Sequence, residues 1–197
     1  MNEAQVNELL LQSLEHEIGG VQVYATALKC VLNEDLKGEW EEYHEQTMKH
    51  VDVLTRTCMA IGLDPNQKSP GRIIVRKLGQ SLVAAMEEAL QEGPPEAAEL
   101  VACECVVIAE TKDHADWELI SKCGEKLKND MGEALRQAAE EVEDEEDEHL
   151  YHSKGWCREL WIQSLGMKAI LPPLEEEKDV KTAIGAAKAE QASDKRR

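Results

Sequence analysis

Hydrophobic residues recur at alternating spacings of three and four along most of this 197-residue chain. Such spacing places apolar side chains on one face of an α-helix. Runs that alternate apolar and polar residues, typical of strands, are nearly missing, and the helix-favouring residues Ala, Leu, Glu, Gln and Lys dominate. The fold class is therefore predicted to be all-α. The pattern predicts five helices, over residues of about 3–32, 36–62, 71–92, 95–122 and 130–165.

Ionisable residues stand at core-facing positions in four of these helices. The apolar stripe contains Glu17 in the first helix, His50 in the second and Glu110 in the fourth. The fifth helix has two, Glu146 and His149, which lie three residues apart and therefore on the same face. The residues of this helix that are predicted to face inward are Leu135, Ala139, Val142, Glu146, His149, Ser153, Trp156 and Leu160. Burying such groups without partners is costly. A bound metal resolves the conflict, because a Glu-x-x-His pair that projects into a helical bundle is the unit of carboxylate-bridged dinuclear sites.

Each of these residues also has an interpretation without a metal. A Glu-x-x-His pair can arise by chance in an acidic run, and residues 140–148 are rich in carboxylates that a solvated helix face would expose. Glu17 could turn towards solvent, and His50 could bond to a neighbour at a partly exposed position. Taken singly, none of the candidates is decisive.

The positions of these residues within the helical hairpins favour the metal interpretation. In two antiparallel helices joined by a short turn, residues equidistant from the turn lie at the same level. Glu17 precedes the first turn by roughly seventeen residues, and His50 follows it by about the same number. Glu110 and Glu146 are placed similarly around the turn at about 123–130. Both hairpins are therefore predicted to bring inward polar groups together at their midpoints.

Three further residues are expected near this site. Tyr24 lies seven residues after Glu17, and Trp117 lies seven residues after Glu110, so each aromatic side chain is expected two turns from a carboxylate. His114 is a possible additional ligand one turn from Glu110. For the aromatic residues the alternative is ordinary core packing, and for His114 it is a hydrogen bond to a neighbouring side chain.

The connections between helices predict the topology. Gly62, followed by Pro65, is expected to end the second helix. The third helix carries no inward ionisable pattern, so we expect a crossover that packs outside a four-helix bundle. Residues 1–166 are then one bundle domain. Residues 167–197, rich in Ala, Lys and Glu, form a C-terminal extension that is expected to be partly disordered.

Composition narrows the class of partner. The formal charge of −18 argues against nucleic acid and anionic membranes. No apolar run reaches the roughly 18 residues of a membrane span, and the N-terminus does not resemble a signal peptide. The six cysteines form no Cys-x-x-Cys pair and lie mostly in apolar, helical surroundings. This usage is typical of reduced thiols in a cytoplasmic protein.

On these residues the chain resembles the ferritin-like superfamily, which includes ferritins, rubrerythrins and manganese catalases. The resemblance covers about residues 3–160. It implies a four-helix bundle with a crossover between bundle helices two and three, and a site for dinuclear iron or manganese. It also implies a supporting role beside the ligands for Tyr24. The ligands that it implies are Glu17, His50, Glu110, Glu146 and His149.

One position departs from the pattern of that family. The family has a glutamate three residues before the histidine of the second bundle helix, where this chain has Thr47. Glu45 or Gln46 could reach the site through a local shift, or His114 could supply the sixth ligand. Otherwise the site would hold one metal, bind it weakly, or be a relic.

Two functions from different classes follow. The first is a metal-binding protein with redox chemistry on O₂ or peroxide at iron or manganese, the metals that carboxylate and imidazole ligands suit. The second is a non-catalytic bundle that acts as a scaffold or metal carrier, which Thr47 favours. Storage in a cage is a third possibility, and a homo-oligomer is compatible with each of them.

Overall fold

A computed structural model describes residues 1–168 of the chain. These residues form five α-helices and no strand, which confirms the all-α fold class. Most of the predicted C-terminal extension, residues 169–197, lies outside the described residues. The helices are α1 (Glu3–Cys30), α2 (Glu34–Ala60), α3 (Pro70–Glu92), α4 (Pro95–Lys126) and α5 (Asp130–Ser164).

The helix ends follow local signals in the sequence. The side-chain oxygen of Asn33 accepts hydrogen bonds from the backbone N–H groups of Asp35 and Leu36 and so caps α2. Beyond the other end of α2, Gly62 has a φ of 78°, a conformation that glycine adopts without strain. The predicted end of this helix is thus confirmed, whereas α4 continues about four residues beyond the predicted 122, to Lys126.

Four helices, α1, α2, α4 and α5, surround a common interior, and α3 packs against their outer side and contributes Met86 to the core. The helix α1 packs against α2 and α4, and α5 packs against the same two neighbours. The helix α3 connects α2 to α4 in the chain and packs against α1 and α4. It therefore occupies the outer position that was predicted for the third helix.

Two apolar clusters fill the interior at different levels. One lies towards the α1–α2 turn, and its largest members include Tyr24, Trp40, Met86 and Trp156. The other lies towards the opposite ends of these two helices, and its members include Leu10, Leu54, Ile120, Leu135 and Val142. On each of the four bundle helices, the buried ionisable residues other than Glu99 stand in the sequence between the members of the two clusters. The bundle therefore has a polar centre between two apolar layers.

Small residues and one buried ion-pair network hold the outer helix. Gly19 of α1 faces Gly79 of α3, since a Cβ added at Gly79 would lie 3.6 Å from the Gly19 Cα. The buried Glu15 carboxylate accepts a hydrogen bond from Nε of Arg72 at 2.7 Å and another from Nε of Arg76 at 2.5 Å. Together these contacts fix α3 along α1. Among residues 1–168, no helix is both long and apolar enough to cross a membrane.

Candidate metal centre

The five ligands expected from the sequence meet in the polar centre. Glu17, His50, Glu110, Glu146 and His149 are each at most 3% exposed. Nδ1 of His50 lies 2.9 Å from Oε1 of Glu146 and 3.5 Å from Oε1 of Glu17. Nδ1 of His149 lies 3.6 Å from Oε2 of Glu110. The predicted meeting of Glu17 with His50 across the first hairpin is therefore observed.

Each of the two histidines makes a hydrogen bond through its second ring nitrogen, Nε2. Nε2 of His50 lies 2.8 Å from Oε2 of Glu145, whose other oxygen pairs with Nζ of Lys49 at 2.7 Å. Nε2 of His149 lies 2.7 Å from Oε1 of Gln46. Both rings thus present Nδ1 to the buried carboxylates and are oriented from outside through Nε2. This is the arrangement of metal-binding histidines, whose second nitrogen is normally fixed by a carboxylate, carbonyl or amide oxygen.

A further carboxylate, Asp113, joins the centre and was not predicted from the sequence. It is 5% exposed. Ligand atoms of Glu17, His50, Asp113 and Glu146 all lie within 4.8 Å of one another. A second group with the same spacing consists of His50, Glu146 and His149. Because the two groups share His50 and Glu146, they form one extended cluster.

The register of α4 explains why Asp113 was missed. Two residues on this helix, Asp113 and His114, stand three and four positions after Glu110, and both spacings are compatible with one helix face. The packed face of α4 takes the three-residue step, so Asp113 is buried and His114 is half-buried. A signal was present in the sequence, because Val106, Asp113 and Ile120 repeat at intervals of seven, as do the inward-facing Cys103, Glu110 and Trp117.

Thr47 is not a ligand, and its surroundings leave little space for a longer side chain. Its hydroxyl donates to the backbone carbonyl of Tyr43 at 2.8 Å. A Cβ added at Gly20 would lie 3.2 Å from Thr47 Cγ2, so α1 and α2 approach closely here. With Asp113 included, the centre nevertheless contains four carboxylates and two histidines. The ferritin-like pattern has a carboxylate on α2 where this chain has Thr47. Asp113 on α4 brings the number of carboxylates in the centre back to four.

The other proposed ligands lie outside the cluster. Glu45 is exposed, so the local shift suggested for it does not occur. Its neighbour Gln46 does reach inward, but it contacts His149 from behind and does not enter the carboxylate cluster. His114 belongs to neither ligand group, and its Nδ1 lies 3.4 Å from Oδ1 of Asp147.

Aromatic residues border the centre as expected. Nε1 of Trp117 donates a hydrogen bond of 2.8 Å to Oε1 of Glu17. The Tyr24 ring lies edge-on to His149, with ring centroids 6.1 Å apart. A closer ring, that of Tyr43, lies 4.4 Å from His149 and was not singled out in the sequence. The Tyr43 hydroxyl is within hydrogen-bond distance of Nδ1 of His152, at 2.8 Å.

The centre contains several carboxylates close together around the imidazole of His50, which is strongly basic. Burial lowers the pKa of His50, but hydrogen bonds with Glu146 and Glu17 outweigh burial and raise it to about 11. Burial raises the pKa of Glu146 to about 7, against the opposing effect of His50. Burial and the charges of Glu146, Glu17 and Glu110 hold the pKa of Asp113 well above its usual range. The crowding thus penalises the ionised forms of Glu146 and Asp113 in the metal-free protein.

Several buried oxygens in the centre accept no hydrogen bond from any residue in 1–168. They include Oε2 of Glu17, Oδ1 of Asp113 and Oε2 of Glu146. Buried polar atoms are normally satisfied, so a set of orphaned carboxylate oxygens needs an explanation. Hard oxygen donors combined with imidazole nitrogens suit iron and manganese. The residues present therefore fit a site for a metal cation.

The chain was also compared with known proteins. No protein-family model, no curated protein and no solved structure matches it.

Proposed function

We propose that this protein is a ferritin-like metalloprotein that binds iron or manganese at a dinuclear centre between α1, α2, α4 and α5. One observation carries the proposal. Both buried histidines point Nδ1 into a cluster of carboxylates, while Glu145 and Gln46 hold the opposite nitrogen of each ring. Metal-binding histidines normally have this orientation, in which the second ring nitrogen is fixed by a hydrogen bond from outside the site.

Six residues supply the proposed ligands. Glu146 and His50 belong to both ligand groups, so Glu146 is the carboxylate best suited to serve two ions. Glu110 lies on the His149 side of the cluster, and Glu17 and Asp113 lie on the His50 side. The full set is Glu17, His50, Glu110, Asp113, Glu146 and His149. Two cations would neutralise four carboxylates that are otherwise crowded together in the core.

Bound iron or manganese would supply the capacity to transfer electrons to O₂ or peroxide. The chain itself supplies orientation and exclusion of water. Trp117 fixes one oxygen of Glu17 through its indole N–H, and the two apolar clusters lie on either side of the centre. Tyr24 stays protonated in this position, because burial and the Glu110 charge raise its pKa.

Metal analysis tests the proposal. We expect purified protein, supplemented with iron and manganese, to hold about two metal ions per chain by mass spectrometry. The double variant Glu146→Ala/His149→Ala should lose them, because it removes a shared carboxylate and an imidazole. The control Glu148→Ala/His44→Ala removes the same residue types from exposed and half-buried positions outside the cluster, and should keep its metal.

Two outcomes would count against a dinuclear centre. Unchanged metal content in Glu146→Ala/His149→Ala would overturn the assignment of the ligands. A content of about one ion per chain in the native protein would limit the centre to a single metal.

A non-catalytic helical scaffold is the second candidate, and one observation favours it. The pKa of His50, raised to about 11, allows a protonated imidazole to pair with Glu146 and Glu17 in the absence of a metal. Under this alternative the native protein would hold no stoichiometric iron or manganese. The variant Glu146→Ala/His149→Ala would then lose stability without any change in metal content.

A further inference from the structure

A groove of about 480 Å³ runs along the surface between α4 and α5. It differs from the other surface features in the described residues because it combines many carboxylates with a buried ligand of the proposed centre. Its lining residues are His114, Trp117, Glu118, Ser121, Lys122, Glu125, Ala139, Glu143, Glu146, Asp147 and Tyr151.

The groove reaches the proposed metal centre. Glu146 lines it although this residue is 2% exposed, so it must stand at the inner end. Within residues 1–168, Oε2 of Glu146 has no hydrogen-bond partner. Trp117 also lines the groove and is hydrogen-bonded to Glu17, a second proposed ligand. The groove therefore connects solvent to a buried carboxylate that can accept a cation.

The charge of the groove suits the passage of a cation. Glu118, Glu125, Glu143 and Asp147 line it together with Glu146, whereas Lys122 is the one lysine in the lining set, which contains no arginine. Nζ of Lys122 lies 3.7 Å from a Glu118 oxygen, so that lysine is already opposed by a carboxylate. A cleft lined by one sign of charge raises the local concentration of the opposite ion and its rate of binding.

The other sides of the bundle are obstructed near the centre. The helix α3 covers the side between α1 and α4. Between α2 and α5, the Lys49–Glu145 ion pair and the Gln46–His149 hydrogen bond lie directly behind the two histidines. Between α1 and α2, Gly20 and Thr47 bring the two helices into close contact.

We infer that the groove between α4 and α5 is the route by which divalent cations enter the proposed metal centre. The inference rests on the proposed function, since a route has meaning only if the centre binds a cation. It gives His114, which was considered as a possible additional ligand, a place on the wall of the route rather than in the centre. The carboxylates of the groove then act on the rate of loading, and the buried residues act on the final affinity.

Removing negative charge from the groove tests whether its carboxylates raise the rate at which the centre takes up metal. The probe is Mn²⁺, mixed with metal-free protein in a stopped-flow instrument and followed through tryptophan fluorescence, since Trp117 borders the centre. We expect Glu125→Gln/Glu143→Gln to load roughly tenfold more slowly and to show a weaker dependence on salt. The control Glu87→Gln/Glu88→Gln removes the same charge from exposed positions on α3 and should load at the native rate. All three proteins should reach the same final stoichiometry.

A steric variant provides a second, independent test. Ser121 is a half-buried residue of the groove, so Ser121→Phe would place a ring in it. We expect slower loading with unchanged stoichiometry. The control Ser81→Phe introduces the same ring at an exposed serine of α3, and its loading rate should be native.

The outcomes separate this inference from the proposal on which it rests. Native loading rates in both groove variants, with normal final binding, would overturn the route and leave the metal centre intact. An equal slowing in the α3 controls would overturn it as well. If the native protein binds neither Mn²⁺ nor Fe²⁺ at equilibrium, the metal centre and the route are both overturned.

Discussion

Asp113 is a residue whose contribution to the metal-free protein is unfavourable when it is ionised. It is buried, its Oδ1 accepts no hydrogen bond within residues 1–168, and other carboxylates surround it. Its pKa in the folded protein lies above the unfolded value, so its contribution to stability is present at low pH. That contribution is lost as the pH rises through the folded pKa. A bound cation would neutralise the Asp113 carboxylate and so remove this loss of stability.

Replacing Asp113 should therefore separate stability from binding. In alkaline buffer without metal, we expect Asp113→Asn to raise the free energy of unfolding by about 1–3 kcal/mol, because a buried charge without a partner is removed. The same variant should bind Mn²⁺ more weakly. Urea denaturation and equilibrium titration measure the two effects.

A matched control for this substitution lies on the same helix. Asp116 is also buried, but its carboxylate pairs with Lys112 and stands outside the ligand groups. Asp116→Asn should lose stability and keep its affinity for Mn²⁺. If Asp113→Asn behaves in the same way, Asp113 is not part of the metal centre.

At the scale of the helix, the attachment of α3 to α1 depends on ion pairs with one buried carboxylate. Glu15 of α1 pairs with Arg72 and Arg76 of α3, and Arg72 is only 7% exposed. Removing one partner of a buried ion pair leaves the other charge uncompensated. This lowers the free energy of unfolding more than the loss of an exposed ion pair does.

We expect Glu15→Gln to lower the free energy of unfolding by on the order of 3 kcal/mol, measured by chemical denaturation. The control Asp52→Asn removes an exposed partner of Arg56 in α2 and should leave the midpoint unchanged. A Glu15→Gln midpoint equal to the native one would show that apolar packing alone fixes α3.

The helices themselves were predictable because their signals are local. The spacing of apolar residues located all five, and every residue predicted to face inward in α5 is buried: Leu135, Ala139, Val142, Glu146, His149, Ser153, Trp156 and Leu160. The choice between Asp113 and His114 was not predictable in this way, since neighbouring helices decide which of two adjacent positions is covered. Gln46 was named as a residue that could reach the site, but its hydrogen bond to the back of His149 was not predictable, because a half-buried amide on a polar face has no periodic signature.

At the scale of the whole molecule, a net charge of −18 opposes the compact state, and part of that charge lies in the core. A cation that binds the folded chain alone stabilises it by mass action. The identity of the metal, the oligomeric state and the cytoplasmic location stay predictions, since residues 1–168 do not test them.

Mn²⁺ should therefore protect the protein against heat. At a free concentration 100 times the Kd, we expect a gain of about 2.7 kcal/mol in the free energy of unfolding, seen as a higher Tm by calorimetry. Sodium chloride at equal ionic strength separates screening of surface charge from binding. An equal gain in Glu146→Ala/His149→Ala would mean that Mn²⁺ acts elsewhere on the acidic surface.

The basicity of His50 has a consequence for how the centre would fill and empty. At neutral pH its ring is protonated on both nitrogens, and Glu145 can keep the proton on Nε2 while a cation displaces the one on Nδ1. Filling is then an exchange of one ion for another, in which protons compete with the metal at neutral pH. On the proposed function, acidification would favour release of the metal from the bundle and alkalisation would favour its uptake.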